Sequence, residues 1–188
     1  VKAPEQIIPG KPLYYATALT LGGYATGVLV ESHMGRPTKI EGNPDHPASL
    51  GATDTFTQAE ILRMYDPDRS QTVINRGEIS TWKSFGDEFS AKLGIQKAKS
   101  GAGLRILSET TASPTLAEQM RQLMAQYPQA KWIQYDAAGQ HNTRAGLRAA
   151  LGRDAAANYS FDKAKIILSL DGDFLASMPG SVRYARHF

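Results

Sequence analysis

The chain predicts an α/β protein: a small β-rich N-terminal module, then a partial open parallel sheet with flanking helices. Three observations carry this. The stretch "TGVLVESHMGRPTKIE" alternates apolar and polar residues around a turn, the signature of a β-hairpin. From Leu104 onward, short apolar runs ("LRILS", "KWIQY", "AKIILSL") are separated by helical patterns. Strand, helix, strand, helix, strand calls for right-handed crossovers and a parallel sheet. The last run is almost continuously apolar, as expected of a strand covered on both faces. The division falls near position 75, giving a β-rich module at 1–75 and a Rossmann-like α/β region at 76–188.

The elements follow in order. Residues 1–13 carry three prolines in no regular pattern and read as an arm. In the hairpin, Val28 and Val30 face one way, Gly35 and Arg36 turn, and Thr38 and Ile40 return. In "EGNPDHPASLG", Pro44 and Pro47 fix φ and push Asn43 and His46 toward extended backbone. The Asn43 side chain can accept a hydrogen bond from its own backbone two residues on, making a tight corner. "TQAEILRMY" is a short helix and "DPDRSQ" a turn. Trp82, Phe85, Phe89 and Leu93, spaced by three and four, mark one helix face expected to be core, with Ser80 as N-cap. "IQKAKSGAG" reads as a linker. Ser113 before Pro114 predicts a capped helix start, with Leu116, Met120, Leu123 and Tyr127 as its apolar face. A second, weaker helix runs from Asn142 or Thr143 to Leu151.

Composition excludes several function classes. The 188 residues are 41% hydrophobic and 21% charged, the range of globular chains. Net charge is +3, and the 21 Lys and Arg form no basic run, so a dedicated nucleic-acid surface is not expected. The absence of cysteine removes disulfides, thiolate-bound zinc, iron–sulfur ligation and thiol catalysis within these residues. No apolar run approaches the roughly 20 residues of a membrane span, and no signal-peptide pattern stands at the start. Val1 in place of Met, and a last stretch "FLASMPGSVRYARHF" without a stop signal, read as a piece of something longer. On that reading Phe174, Leu175 and Phe188 are expected to show apolar surface.

"GRPTKIEGNPDHPASLG", followed by "QAEILRMYDPDR", resembles the N-terminal region of the molybdopterin oxidoreductase superfamily, dimethyl sulfoxide reductase type. Within it, the run from Tyr14 to Val73 most resembles the large iron–sulfur subunit of bacterial alternative complex III, a quinol:electron acceptor oxidoreductase. Cofactor-bearing members place cysteines here as C-x2-C-x3-C, with a fourth after the "GNPDHP" loop. Carried onto this sequence, those positions are Leu19, Gly22, Thr26 and Asp54, none of which supplies a thiolate. A lysine that follows the fourth cysteine corresponds to Phe56. The segment that holds molybdenum in relatives reads "DAAGQHNTRAG", without an equivalent ligand. The phosphate-binding strand-to-helix turn reads "SETTASPT", without glycine. The resemblance therefore implies a scaffold without its chemistry: no catalytic, cofactor-binding or metal residue in these 188 positions. It implies iron–sulfur clusters in a later domain, a place in respiratory electron transfer, and contacts to other subunits, including cytochrome subunits. It also implies the periplasmic face of the bacterial inner membrane, with no membrane span of its own. The alternative within the resemblance is an active molybdopterin-dependent oxidoreductase whose cofactor is held by other segments.

Other residues offer sharper chemistry. Asp171 and Asp173 in "LSLDGDFLA" end the expected third strand, where ligands gather in open α/β sheets. An Asp-x-Asp there is the arrangement of a magnesium-dependent phosphatase with the first Asp as nucleophile. Against this, Leu175 stands where a Thr or Val usually follows, and the motif belongs on a first strand. His46 is either a metal ligand or a loop histidine bonded to backbone; His33 and His141 stand alone. Ser108 and Ser113 lack the G-x-S-x-G elbow of a nucleophile, and Ser113 suits a helix cap. Arg36, Arg63 and Arg69 are placed to pair with Asp66 and Asp68 or to touch a partner subunit.

Overall fold

The computed structural model describes residues 6–137, 139 and 141–188. The chain forms two units: Val1–Tyr65 together with Ala138–Phe188, and Asp66–Ala137. The expected class holds, with an antiparallel N-terminal sheet and a parallel pair of strands flanked by helices.

In the first unit, β1 (Leu13–Leu21), β2 (Tyr24–His33) and β3 (Arg36–Gly42) form an antiparallel sheet in the order β1-β2-β3. The predicted hairpin is β2–β3, turning at Met34 and Gly35, one residue earlier than the sequence suggested. The first strand, not separately predicted, joins β2 through Gly22 and Gly23. Both take positive φ (57° and 77°), as a two-residue hairpin turn with the sheet's own twist requires. A bulge lies between Glu31 and Ser32. Val28 on the central strand and Ile40 on β3 are buried, and α1 (Thr55–Arg63) packs on β3. A second core gathers around Tyr184 on α5 (Ser181–His187). Its ring meets Tyr159 at 5.8 Å and Phe161 at 5.2 Å, and Phe161 lies tilted against Phe174 at 4.5 Å. Helix α4 (His141–Leu151) and a short 3-10 turn at Phe161–Lys163 complete this unit.

The expected third strand is a correction. "AKIILSL" forms no strand, and no backbone hydrogen bond among the described residues links 165–170 to another strand. Ile166, Leu168 and Leu170 are 91%, 80% and 83% exposed. A strand exists through its ladder, and β-propensity alone does not supply a partner. Leu175 and Phe188 are exposed, and Phe174 is half-buried.

In the second unit, β4 (Val73–Asn75) and β5 (Glu78–Ser80) form a small hairpin that the sequence reading missed. It absorbs Ser80, so the cap of α2 (Trp82–Ala98) is Thr81, whose hydroxyl accepts from the Ser84 N–H at 3.1 Å. The helix also consumes the first part of the expected linker. Its aromatic face is not core: Trp82, Phe85 and Phe89 are more than half exposed, Trp82 meeting Phe85 edge to face and Phe85 stacking on Phe89 along the helix. β6 (Arg105–Ser108), α3 (Pro114–Gln126) and β7 (Lys131–Gln134) form the predicted strand–helix–strand unit, with β6 and β7 parallel. Ser113 caps α3 as expected, accepting from the Leu116 N–H. Met120 and Tyr127 are buried, and Leu116 is partly open. No helix among the described residues is long and apolar enough to cross a membrane.

Candidate functional site

Three of the four cysteine positions implied by the resemblance, and the lysine position, converge. A pocket of about 180 Å³ in the first unit is lined by Leu21, Gly22, Tyr24, Thr26, Asp54 and Phe56, and closed by residues 176–182. Gly22, Thr26, Asp54 and Phe56 thus meet around one space, although they lie up to 34 positions apart in sequence. Leu19 pairs with Thr26 across the β1–β2 ladder but does not line the pocket.

The donor set does not fit an iron–sulfur cluster. Soft iron–sulfide sites take thiolates, and this pocket offers hydroxyls (Tyr24, Thr26, Ser177, Ser181), one carboxylate and the Met178 thioether, but no thiolate. The carboxylate is already engaged. Asp54 is the N-cap of α1, and its Oδ1 accepts from the Thr57 N–H at 2.7 Å. Tyr24 is held above the ordinary tyrosine range, chiefly by burial and then by the neighbouring Tyr184, with Arg183 opposing.

The "GNPDHP" loop packs on β2, where the Asn43 N–H donates to the Gly27 carbonyl at 3.0 Å. The Asn43 side chain accepts from the Asp45 N–H at 3.0 Å, the corner expected from sequence. The Ser49 hydroxyl donates to the Asn43 carbonyl at 2.8 Å and is fully buried. His46 is a loop histidine bonded to backbone: its Nδ1 accepts from the Ala48 N–H at 3.2 Å. The ring lies so close to β2 that a Cβ on Gly27 would stand 2.1 Å from His46 Cγ.

In the second unit, the carboxyl ends of β6 and β7 are tied to each other. Asp136 Oδ1 accepts from the Thr110 N–H at 2.9 Å, and its Oδ2 accepts from the Thr110 hydroxyl. Trp132 Nε1 donates to Ser108 Oγ at 2.9 Å. The turn where relatives of the resembled family receive cofactor phosphates is therefore committed to internal bonds and flanked by a carboxylate. It does not fit a pterin phosphate. Ser108 and Ser113 serve these local bonds and are not brought to a base.

The remaining candidates are dispersed. Asp173 caps its own turn, accepting from the Ala176 and Ser177 N–H groups at 3.2 and 3.1 Å. Asp171 has φ of 56°, and no strand precedes it, so the premise of a strand-end magnesium site fails. His33 bonds Glu31 at 2.7 Å. Arg63 pairs with Glu60, not with Asp66 or Asp68, and Arg36 lies over the Tyr65 ring at 4.6 Å. Arg69 donates its backbone N–H to the Asp66 carbonyl. His141 lines a second cavity, about 640 Å³, with Arg144, Arg148 and small residues of α4 and 154–156; Arg148 is paired with Asp154. No three His, Asp or Glu side chains among the described residues are grouped to hold a metal ion.

The sequence reading missed the segment that closes the first pocket. Its one signal was "MPGS", a Pro-Gly turn, at the foot of α5. No family model matches the chain. It is 24% identical over 184 residues to a curated protein of Nitratidesulfovibrio vulgaris named "Menaquinone reductase, molybdopterin-binding-like subunit". The match takes in 96% of this chain and 26% of that protein, so the chain spans about a quarter of its relative's length. Over nearly all its residues, then, the chain is similar to part of a molybdopterin-binding-like protein.

Proposed function

We propose that this chain is a cofactor-free structural domain in the iron–sulfur subunit of a membrane-associated quinol:electron acceptor oxidoreductase. The coarser part of the reading, a molybdopterin oxidoreductase-related protein with a respiratory quinol role, is supported by the relative's name. The finer part, the alternative complex III kind, rests on the resemblance of the Tyr14–Val73 run. One observation carries the cofactor-free reading. Gly22, Thr26, Asp54 and Phe56 share a pocket that presents no thiolate, its one sulfur being the Met178 thioether, and its carboxylate serves as a helix cap.

On this reading the domain keeps a redox scaffold for its shape. It supports a cluster-bearing domain elsewhere in the full-length protein and contacts other subunits of the complex, cytochrome subunits among them, at the periplasmic face of the inner membrane. Electrons bypass these residues. Purification of the full-length protein from membranes in mild detergent tests this. The expected result is co-purification with haem-containing subunits at fixed stoichiometry. Recovery of the protein alone, with every haem subunit elsewhere, contradicts it.

A second reading, an active molybdopterin-dependent enzyme, has one observation in its favour. The 640 Å³ cavity beside α4 presents Arg144 to an anionic group, Arg148 being already paired with Asp154. Against it stand the committed turn at Thr110 and Asp136, and the lack of any thiol or hydroxyl among the cavity's lining residues.

A further inference from the structure

The two edges of the N-terminal sheet are built differently. β3 carries the devices that stop an edge from recruiting another strand. It contains Pro37, Lys39 and Glu41, it borders the bulge at Glu31 and Ser32, and α1 packs on it with Lys39 bonded to Gln58 at 3.0 Å. β1 carries none of them. "LYYATALTL" is nine residues without a charge, a proline, a glycine or a bulge. It pairs only with β2 among the described residues, and Tyr14 and Tyr15, on opposite faces, are 58% and 54% exposed. Among the described residues no strand covers the outer edge, and Tyr14 to Ala18 are exposed; only Leu21, at the end of the strand, lines the pocket closed by residues 176–182.

From this contrast we infer that β1 is an interface strand whose occupant is the β1 strand of a second copy of this chain. The two strands add edge to edge in antiparallel sense, giving a six-stranded sheet across a two-fold axis. The strand is complementary to itself. An axis at its midpoint, Thr17, sets Leu13 opposite Leu21 of the second copy, Tyr15 opposite Leu19, and Thr17 opposite Thr17. These all lie on one face, since alternate residues share a face. Aromatic–aliphatic and Thr–Thr pairs are favourable across strands. No register of the two strands places like charges together, because the strand has none.

The test is sedimentation equilibrium of the full-length protein and two variants of the exposed Thr17. The expected result is a monomer–dimer equilibrium for the wild type. Thr17→Lys and Thr17→Glu each place two like charges in contact at the axis and raise the dissociation constant by about fivefold. An equimolar mixture of the two restores the dimer. Restoration by mixing also shows that both variants are folded. A wild type that stays monomeric at all concentrations overturns the inference. So does a dimer indifferent to both substitutions, or a mixture no tighter than its components.

Discussion

Asp54 and Thr57 are joined by a 2.7 Å hydrogen bond in which the Thr57 N–H donates to the Asp54 carboxylate. The resemblance places a cluster-binding cysteine of relatives at this position, and here it starts a helix. The carboxylate satisfies one of the donors that a helix N-terminus leaves open and complements the positive end of its dipole. Asp54→Ala is expected to lower stability by about 1 kcal/mol, or about 2–4 °C in Tm for a chain of this size. Asp54→Asn keeps the cap and is expected to stay near the wild type. Thermal unfolding of the two variants checks this. Equal losses in both would mean that the charge, not the cap, is what matters.

Gly27 and His46 are in contact without room for one more carbon. Gly27→Ala would bring a methyl within 2.1 Å of His46 Cγ and 2.5 Å of its Cβ. The expected cost is about 1–3 kcal/mol, the range for overpacking. His46→Ala leaves that Cβ in place and is expected to restore little. His46→Gly removes all three contacting atoms and is expected to recover part of the loss. A double-mutant cycle measures the coupling. At Gly42 the nearest obstacles are the Ala52 oxygen and nitrogen, at 2.3 and 2.4 Å. No side-chain change is expected to rescue Gly42→Ala.

Tyr24 links the pocket to pH. Its folded pKa is raised above the ordinary 10.0, first by burial and then by Tyr184. The neutral phenol is therefore favoured in the folded state. This contribution is fully present below the unfolded pKa and is lost as pH rises through the folded one. Stability is expected to decline above about pH 10, and Tyr24→Phe is expected to flatten that decline while changing little at neutral pH. Denaturant titrations at neutral and alkaline pH decide it. An equally steep alkaline loss in Tyr24→Phe would place the cause elsewhere.

The latch between Thr110 and Asp136 supports the β6–β7 pair. Asp136→Ala leaves the part-buried Thr110 N–H without its acceptor and is expected to cost about 1–3 kcal/mol. Thr110→Val removes only the hydroxyl bond and is expected to cost less. Urea unfolding of both variants ranks them. The reverse order would show that the backbone bond is not the main support.

Much of the fold was legible where local signals are strong. The β2–β3 hairpin, the Asn43 corner, and the Ser113–Pro114 start of α3 each rest on residues within a few positions of one another. The failures share a cause. "AKIILSL" has the composition of a strand, and Ile166, Leu168 and Leu170 lie exposed without a ladder. Trp82, Phe85 and Phe89 show helical spacing, which predicts the helix but does not say what covers its apolar face. Both depend on a neighbour, and residue patterning does not name neighbours. The pocket was half legible. The cysteine positions carried over from relatives brought Gly22, Thr26 and Asp54 together, and the lysine position added Phe56, but Leu19 falls outside. The wall at 176–182 lies more than 100 positions away from all of them, where sequence reasoning had only a Pro-Gly turn to notice.

The central claim is that these residues form a redox scaffold without a redox centre. Elemental analysis of the full-length protein for molybdenum, tungsten and iron, with a pterin fluorescence assay, tests it most directly. Iron without molybdenum, tungsten or pterin is the result this account predicts, with the clusters held in another domain. Molybdenum or tungsten together with pterin would contradict it and put the enzyme reading in its place.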